Sequence, residues 1–393
     1  AMTSSILPTY NRTPLSFVKG EGAWLVEADG RRFLDMTAGI AVNALGHAHP
    51  KLVQALNDQA QKLWHVSNLY TIPEQERLGD LLTEHTFADR VFFTNSGTES
   101  AELAIKMARK YHAEKGAAHR VEIVAFEGAF HGRSTGAIAA AGSEKMVKGF
   151  GPLMPNFTHL KWGDHAALEA AITDQTCAVI IEPIQGEGGI RPVPEQCLKG
   201  LRDLCDKTGT LLIFDEVQCG MGRTGRLFAH EWAGVTPDIM MVAKGIGGGF
   251  PLGAVLATED AGSGMVAGSH GSTYGGNPLA CAVGTAVMEA MLEDGFFDHV
   301  SRVSGVLRQG LEGLIAQFPN HLEEVRGKGL MLGLKCKISN LDLVRAAQTQ
   351  LMLSVPAADN VVRLLPPLTL TENEAQEAVS RLSHALETLD AGA

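Results

Sequence analysis

The chain has no excess of positive charge, no cysteine framework and no long apolar run. Its 33 lysines and arginines stand against 44 aspartates and glutamates, a formal charge of −11. No basic block interrupts that balance, so nucleic acid is not an expected partner. Six cysteines (Cys177, Cys197, Cys205, Cys219, Cys281 and Cys336) form no CxxC pair and no regular spacing, the pattern of reduced thiols in a cytoplasmic protein. A membrane span needs about 18 uninterrupted apolar residues, and no such window exists. Thr3 to Lys19 shows no basic stretch followed by an apolar one, so no secretory leader is expected there. What the chain does have is 393 residues with 45% hydrophobic content, enough to bury one large core and a smaller one.

Short apolar runs alternate with helical patterns through the middle of the chain. Candidate strands are Val91–Thr94, Val121–Phe126, Ala178–Glu182, Leu211–Asp215, Ile239–Ala243 and Gly253–Ala257. Helical patterns include Ser100–Tyr111, Glu195–Lys207 and Pro278–Leu292. Hydrophobicity in the strands is near-continuous rather than alternating, which predicts an α/β fold with a mainly parallel sheet covered on both faces. Phe17–Leu34 reads instead as a hairpin turning at Asp29-Gly30. In the last quarter of the chain, two amphipathic helices flank the strand-like Gly329–Cys336 and Val361–Leu365, a smaller α+β unit. The expected organisation is an N-terminal segment (1–50) packing with the small domain, a large domain (51–300) and a small C-terminal domain (301–393).

Two of the strands end by delivering a polar group. Leu211-Leu212-Ile213-Phe214 leads to Asp215, and Met240-Met241-Val242-Ala243 leads to Lys244. One primary amine opposite one carboxylate at the mouth of a parallel sheet is what pyridoxal phosphate chemistry needs. The amine forms a Schiff base with the aldehyde, and the carboxylate holds the proton on the ring nitrogen.

Other motifs supply the remaining parts of such a site. Val91–Thr94 leads into Asn95-Ser96-Gly97-Thr98-Glu99 and a helix with Ala101, Ala104, Ile105 and Ala108 on one face. Ser96 with Glu99 is a capping-box signature. Gly97 lets the backbone come close, so free amides and the helix dipole face an anion; the bland reading is an ordinary capped helix. In Gly128-Ala129-Phe130-His131-Gly132-Arg133, Phe130 can stack on a flat ring or pack in the core. Arg133 is a fork suited to a carboxylate, or else a solvated surface residue. Gly220-Met221-Gly222-Arg223-Thr224-Gly225 matches GxGxxG, but four residues separate it from the strand, and Asp238 precedes a strand instead of ending one. The dinucleotide fingerprint requires strand, immediate turn and helix, which leaves a nicotinamide dehydrogenase as a remote alternative. His47-Ala48-His49 has no evident third ligand, and structural histidines are the expected reading, with no metal.

The ordered series NSGTE, FHGR, EPIQGEGG, FDEVQCGMGRTG, AKGIGGGFPLGA and TYGGNPLA resembles the class III pyridoxal phosphate aminotransferases of the aspartate aminotransferase-like fold (fold type I). The resemblance runs from Gly39-Ile40-Ala41-Val42 to Pro366-Pro367-Leu368-Thr369. It implies pyridoxal 5′-phosphate on Lys244, with Gly97 and Thr98 holding the phosphate and Thr273 of a second subunit reaching it. Phe130 and Val217 are implied on the two ring faces, Asp215 at the ring nitrogen and Gln218 near the ring hydroxyl. Because Ser272 and Thr273 would act across an interface, a homodimer with a composite site is the expected minimum assembly.

The same resemblance implies small-molecule substrates: N2-acetylornithine as amino donor, and 2-oxoglutarate, which becomes glutamate, as acceptor. Arg363 is implied to grip glutamate's α-carboxylate, with Glu187 pairing with it when an ω-amine is bound, so that no bare cation stays buried. A plain structural ion pair is the alternative for those two. Arg133 is implied to hold the distal carboxylate of either substrate and Ser272 to contact the acyl group. Succinylornithine, ornithine and 4-aminobutyrate are alternative donors, since enzymes acting on them share every cofactor residue.

Overall fold

Three short strands open the chain in a computed structural model that describes residues 4–390; the first three and last three positions of the expected domains lie outside the described residues. They are β1 (Phe17–Glu21), β2 (Trp24–Glu27) and β3 (Arg32–Asp35), each antiparallel to the next. The expected single hairpin is therefore a meander. Gly22, at φ +58°, makes a first corner that the sequence pattern hid, and Gly30, at φ +89°, makes the second; glycine enters this left-handed region without a Cβ penalty.

The large sheet is built from β4 (Arg90–Thr94), β5 (Glu122–Phe126), β6 (Phe157–Leu160) and β7 (Thr176–Ile181), followed by a two-stranded ribbon of β8 (Ile184–Gln185) and β9 (Arg191–Pro192), and then by β10 (Leu211–Asp215), β11 (Ile239–Val242) and β12 (Gly253–Ala257). Seven of these join in the order β4-β12-β11-β10-β7-β5-β6. From β11 to β6 all neighbours are parallel, whereas β12 runs antiparallel to both β11 and β4. Only residues 243–252 separate β11 from β12, too few for the crossover that a parallel return requires. β6 was not among the expected strands: it sits at the sheet edge, has no fully buried residue and exposes His159, so it lacks the continuous apolar signature.

Helices cover both faces of this sheet. Gly97–Glu114 packs on one side through Ala101, Ala104, Ile105 and Ala108, and Glu195–Thr208 packs on the other through Leu198, Leu201 and Cys205. With two covered faces, β7 and β10 are buried at every position, which explains their unbroken hydrophobicity.

After helix Phe296–Gln317 come β13 (Leu322–Lys328), β14 (Met331–Cys336), helix Asn340–Thr349, β15 (Met352–Leu353), β16 (Val355–Ala357), β17 (Val361–Leu364) and helix Glu372–Glu387. This region holds three strands (β13, β15 and β16) and one helix more than the sequence pattern indicated. β13 reads Leu-Glu-Glu-Val-Arg-Gly-Lys and is mostly half-buried, with only Leu322 fully buried, so burial leaves little trace in it. Gly329 belongs to a turn at φ +60° rather than to the strand beginning at Met331. The sheet runs β13-β14-β17-β16, and β15 pairs in parallel with β3, adding a fourth strand to the N-terminal meander. Among the described residues no helix is long and apolar enough to cross a membrane, and all six cysteines are free.

Candidate active site

Parallel strands end at one edge of the sheet, and the loops leaving that edge converge. A cavity of about 340 Å³ lies there, lined among others by Gly97, Thr98, Phe130, Asp215, Val217, Gln218 and Lys244.

At one end is the start of helix Gly97–Glu114. Ser96 Oγ accepts the Glu99 N–H at 3.3 Å, and the Glu99 carboxylate takes the Ser96 hydroxyl (2.8 Å) and the Asn95 amide (3.0 Å). The expected capping box is therefore only half closed. The first-turn N–H groups of Gly97 and Thr98 have no acceptor inside the helix and border the cavity. A Cβ at Gly97 would lie 2.9 Å from Val217 Cγ1, so only glycine lets the helix end and the loop after β10 approach this closely. Thr98 Oγ1 sits 2.6 Å from Ser134 Oγ and accepts the Ser134 N–H at 3.0 Å, which fastens the Phe130 loop to the same helix end.

Across the cavity, Asp215 Oδ2 lies 2.7 Å from His131 Nδ1, and Asp215 Oδ1 accepts the Val217 N–H at 3.0 Å. Burial pulls the His131 pKa down, but the hydrogen bond and charge of Asp215 outweigh it and hold it above its ordinary value. Glu182 lines the same space; burial, and then the charge of Asp215, push its pKa up to about 8. Neither His131 nor Glu182 was singled out from the sequence. The rule that flagged Asp215, a carboxylate delivered by a fully apolar strand, applies equally to Glu182.

Lys244 begins the short connection between β11 and β12 at φ +49°. A non-glycine residue there carries about 1–2 kcal/mol of steric strain, sustained because its flanking strand is buried. Its Nζ donates to Ile40 O at 3.1 Å. Ile40 belongs to a run of four left-handed residues, Ala38 to Ala41, with φ of 47°, 66°, 65° and 61°. Asp35 anchors that run by accepting the N–H groups of Thr37 and Ala38 at 3.0 and 3.1 Å. Burial lowers the Lys244 pKa from 10.5 to about 8, with Glu187 working in the opposite direction.

The substrate candidates divide between this cavity and its surroundings. Arg363, buried on β17, holds Glu187 through two hydrogen bonds of 3.0 and 3.1 Å. Its Nη1 also donates to Gln218 Oε1 at 3.1 Å, and its Nη2 to Pro356 O at 3.1 Å. Arg133 is exposed, with its guanidinium carbon 5.9 Å from the centre of the Phe130 ring. It shares an adjoining cavity of about 470 Å³ with Glu187 and Phe130. Ser272 and Thr273 are not brought into the chain's own cavity. Ser272 Oγ accepts the Gly275 N–H at 2.9 Å, and Thr273 is exposed.

The two remaining motifs have structural explanations. Gly220–Gly225 forms consecutive turns rather than a strand–turn–helix, and its Arg223 is buried, donating to the carbonyls of Leu330 and Pro366. His47 Nε2 lies 2.7 Å from Asp35 Oδ2, and His49 caps the helix Pro50–Ala60.

The cavity suits a flat, phosphorylated aldehyde. Helix amides stand at one end, an aromatic ring and a branched aliphatic side chain border the middle, and a carboxylate and an amine project from strand ends. His131 Nε2, buried and without a partner, adds an unused polar group at the same place.

Comparison with known proteins agrees with this chemistry. A family model described as aminotransferase class-III matches residues 6–386. An acetylornithine aminotransferase from Rhodobacter capsulatus is 67% identical over 389 residues, 99% of each chain. Among solved structures, an N-acetylornithine aminotransferase from Stenotrophomonas maltophilia superposes with a TM-score of 0.85 at 38% identity, covering 96% of this chain and 97% of that one. An ornithine aminotransferase from Toxoplasma gondii gives a TM-score of 0.94 at 31% identity, covering 98% and 93%.

Proposed function

The chain belongs to the class-III aminotransferase family, and we propose that it moves the δ-amino group of N2-acetyl-L-ornithine to 2-oxoglutarate. The products are N-acetyl-L-glutamate 5-semialdehyde and L-glutamate, a step of arginine biosynthesis. The observation that carries this reading is the bidentate Glu187–Arg363 pair beside Lys244 and Asp215. The acetyl preference draws support from the full-length similarity to the Rhodobacter capsulatus relative.

Pyridoxal 5′-phosphate, when bound, supplies an aldehyde carbon that takes up the amino group and a ring that holds the electrons freed at the substrate carbon. Gly97 and Thr98 would hold its phosphate, Phe130 and Val217 would flank the ring, and Gln218 would lie toward the ring hydroxyl. Asp215 would keep the ring nitrogen protonated. An ion pair at about 4 Å in an effective dielectric near 20 is worth roughly 4 kcal/mol, which is about three pKa units. Lys244, with its pKa at about 8, has an accessible neutral amine. Once the substrate amine has taken its place, it serves as the base that moves the δ-carbon proton.

One pocket has to accept a carbon bearing no carboxylate and, in the second half-reaction, glutamate's carbon, which bears one. Glu187 neutralises Arg363 in the first case, and glutamate's α-carboxylate replaces Glu187 in the second. Arg133 holds the distal carboxylate in both, and Ser272 contacts the acyl group. A homodimer completes the site, with Thr273 of a second copy at the phosphate. Trp64, Leu69, Tyr70 and Tyr274 are all exposed, and Asn68 binds Ser272 O and Gly275 O, so apolar surface surrounds the segment that has to reach across. A cytoplasmic setting accords with six free cysteines.

The test is a single-turnover measurement on purified enzyme without keto acid, following the visible absorbance of the bound cofactor. Acetylornithine should bleach it well ahead of succinylornithine, ornithine and 4-aminobutyrate. Equal rates with two or more donors would replace the acetyl preference by a broad ω-amine specificity.

A further inference from the structure

Glu182 leaves β7 directly, and β7 lies between β5, whose exit loop carries Phe130, and β10, which delivers Asp215. The carboxyl is buried, and although His131, Lys244 and Arg191 act on its charge from a distance, among the described residues no lysine or arginine forms a salt bridge with it. A buried carboxyl of that kind is costly unless its oxygens are used as acceptors. Both are used, and by two different loops: Oε1 accepts the Phe130 N–H at 3.1 Å, and Oε2 accepts the Gly186 N–H at 3.4 Å. Burial, and then the charge of Asp215, push its pKa up, so a second full negative charge beside Asp215 is disfavoured.

Gly186 immediately precedes Glu187. On the other side, the Glu187 carbonyl accepts the Ala358 N–H at 2.9 Å. A Cβ at Gly186 would lie 2.2 Å from Gln218 Oε1, so the main chain is also pressed against Gln218. The backbone around Glu187 is thus held, while its side chain extends to Arg363 and lines the adjoining cavity.

We propose that Glu182 is a positioning residue that pins the main chain at Phe130 and at Gly186 to one carboxyl group, so that Glu187 switches by side-chain rotation alone. The proposal rests on the amino-transfer reading above. While Glu187 is paired with Arg363, that pair also restrains the segment and the pin is redundant. When glutamate's carboxylate takes Arg363, the pair is broken, and the pin is left to hold the segment together with the Ala358 contact to the Glu187 carbonyl. Removing it therefore weighs mainly on the glutamate half-reaction.

Glu182→Gln keeps the shape, but its amide nitrogen cannot accept, so one of the two N–H groups loses its partner. Glu182→Asp keeps two acceptors one methylene short and serves as the conservative rescue. Amide exchange on the holoenzyme, read by mass spectrometry, should quicken about tenfold in peptides covering 128–133 or 184–190, the factor one buried hydrogen bond is worth, with β10 unchanged. Single turnover with glutamate should slow about tenfold more than with acetylornithine, for the same lost bond. The aspartate variant should fall between glutamine and wild type. Unchanged exchange in both peptides, a uniform rise across all peptides, or equal slowing of both half-reactions would overturn the proposal. If wild-type enzyme turned over neither substrate, the amino-transfer reading would fail, and the exchange pattern would still decide whether the pin exists.

Discussion

Lys244 shows how a reactive group is kept ready at the expense of stability. Its pKa falls from 10.5 to about 8 on burial, so between those values the unfolded chain binds more protons than the folded one. Stability attributable to this group therefore rises with pH across that window, and below about 8 the penalty is fully present. Replacing Lys244 by Met should raise the melting midpoint of the cofactor-free protein at pH 7 by about 2–4 °C, a gain that shrinks as pH approaches 10.5. Calorimetry at several pH values checks this, and a lower midpoint at pH 7 would contradict the burial argument. The same variant should lose any borohydride-reducible cofactor adduct. The wild-type rate of cofactor capture should rise as pH passes through about 8, because only the neutral amine attacks.

Glu187 is the other residue whose state matters. Glu187→Gln keeps its size but leaves Arg363 without a countercharge when an ω-amine is bound. Single turnover with acetylornithine should slow by about tenfold or more, a fraction of the cost of a fully buried unpaired charge because Glu187 is partly exposed, while glutamate, which brings its own carboxylate, should be affected less. Equal losses would remove the switch and leave a structural ion pair. The glutamate-weighted effect expected of Glu182→Gln is the opposite, so the two variants separate the charge of the switch from its support.

Among elements, the start of helix Gly97–Glu114 is the tightest constraint, because Val217 stands where a Gly97 side chain would go. Gly97→Ala should leave helix content unchanged and weaken cofactor retention by about tenfold, since Val217 has to shift off the ring face; overpacking of this kind costs about 1–3 kcal/mol. Equilibrium dialysis measures the retention, and unaltered affinity would show that Val217 has room to give. Elements with a one-sided relation to burial were the legible ones. β7 and β10, covered on both faces, announce themselves by unbroken apolar runs, and the polar residues at their ends mark the site. β6 and β13 are only half-buried, so polar residues in β6 and charged ones in β13 conceal the strand. The antiparallel β12 follows from the shortness of the Lys244 connection, a matter of chain length that strand composition does not record. Glu182 satisfies the strand-end rule as Asp215 does, at the end of the fully buried β7.

For the whole molecule, the question is where Ser272 and Thr273 act, since the chain's own cavity excludes both. Thr273 is exposed beside exposed Tyr274, and Ser272, half-buried with its carbonyl held by Asn68, precedes it, so Thr273 lies on a surface with apolar side chains that a second copy would cover. If each site borrows Thr273 from its neighbour, Lys244→Ala and Thr273→Arg disable different halves of one composite site. Each variant alone forms dimers with two defective sites. In a mixed dimer, one site has lost Lys244 and also receives the faulty residue 273. The other keeps its own Lys244 and receives an intact Thr273. Unfolding and refolding an equal mixture should therefore restore about a quarter of wild-type activity, because half the dimers are mixed and each has one sound site. Recovery near zero, with mixed dimers demonstrated by native mass spectrometry, would place Thr273 in the service of its own chain and require Tyr274 and its neighbours to move inward. Activity in Thr273→Arg alone would release the residue from the phosphate site altogether.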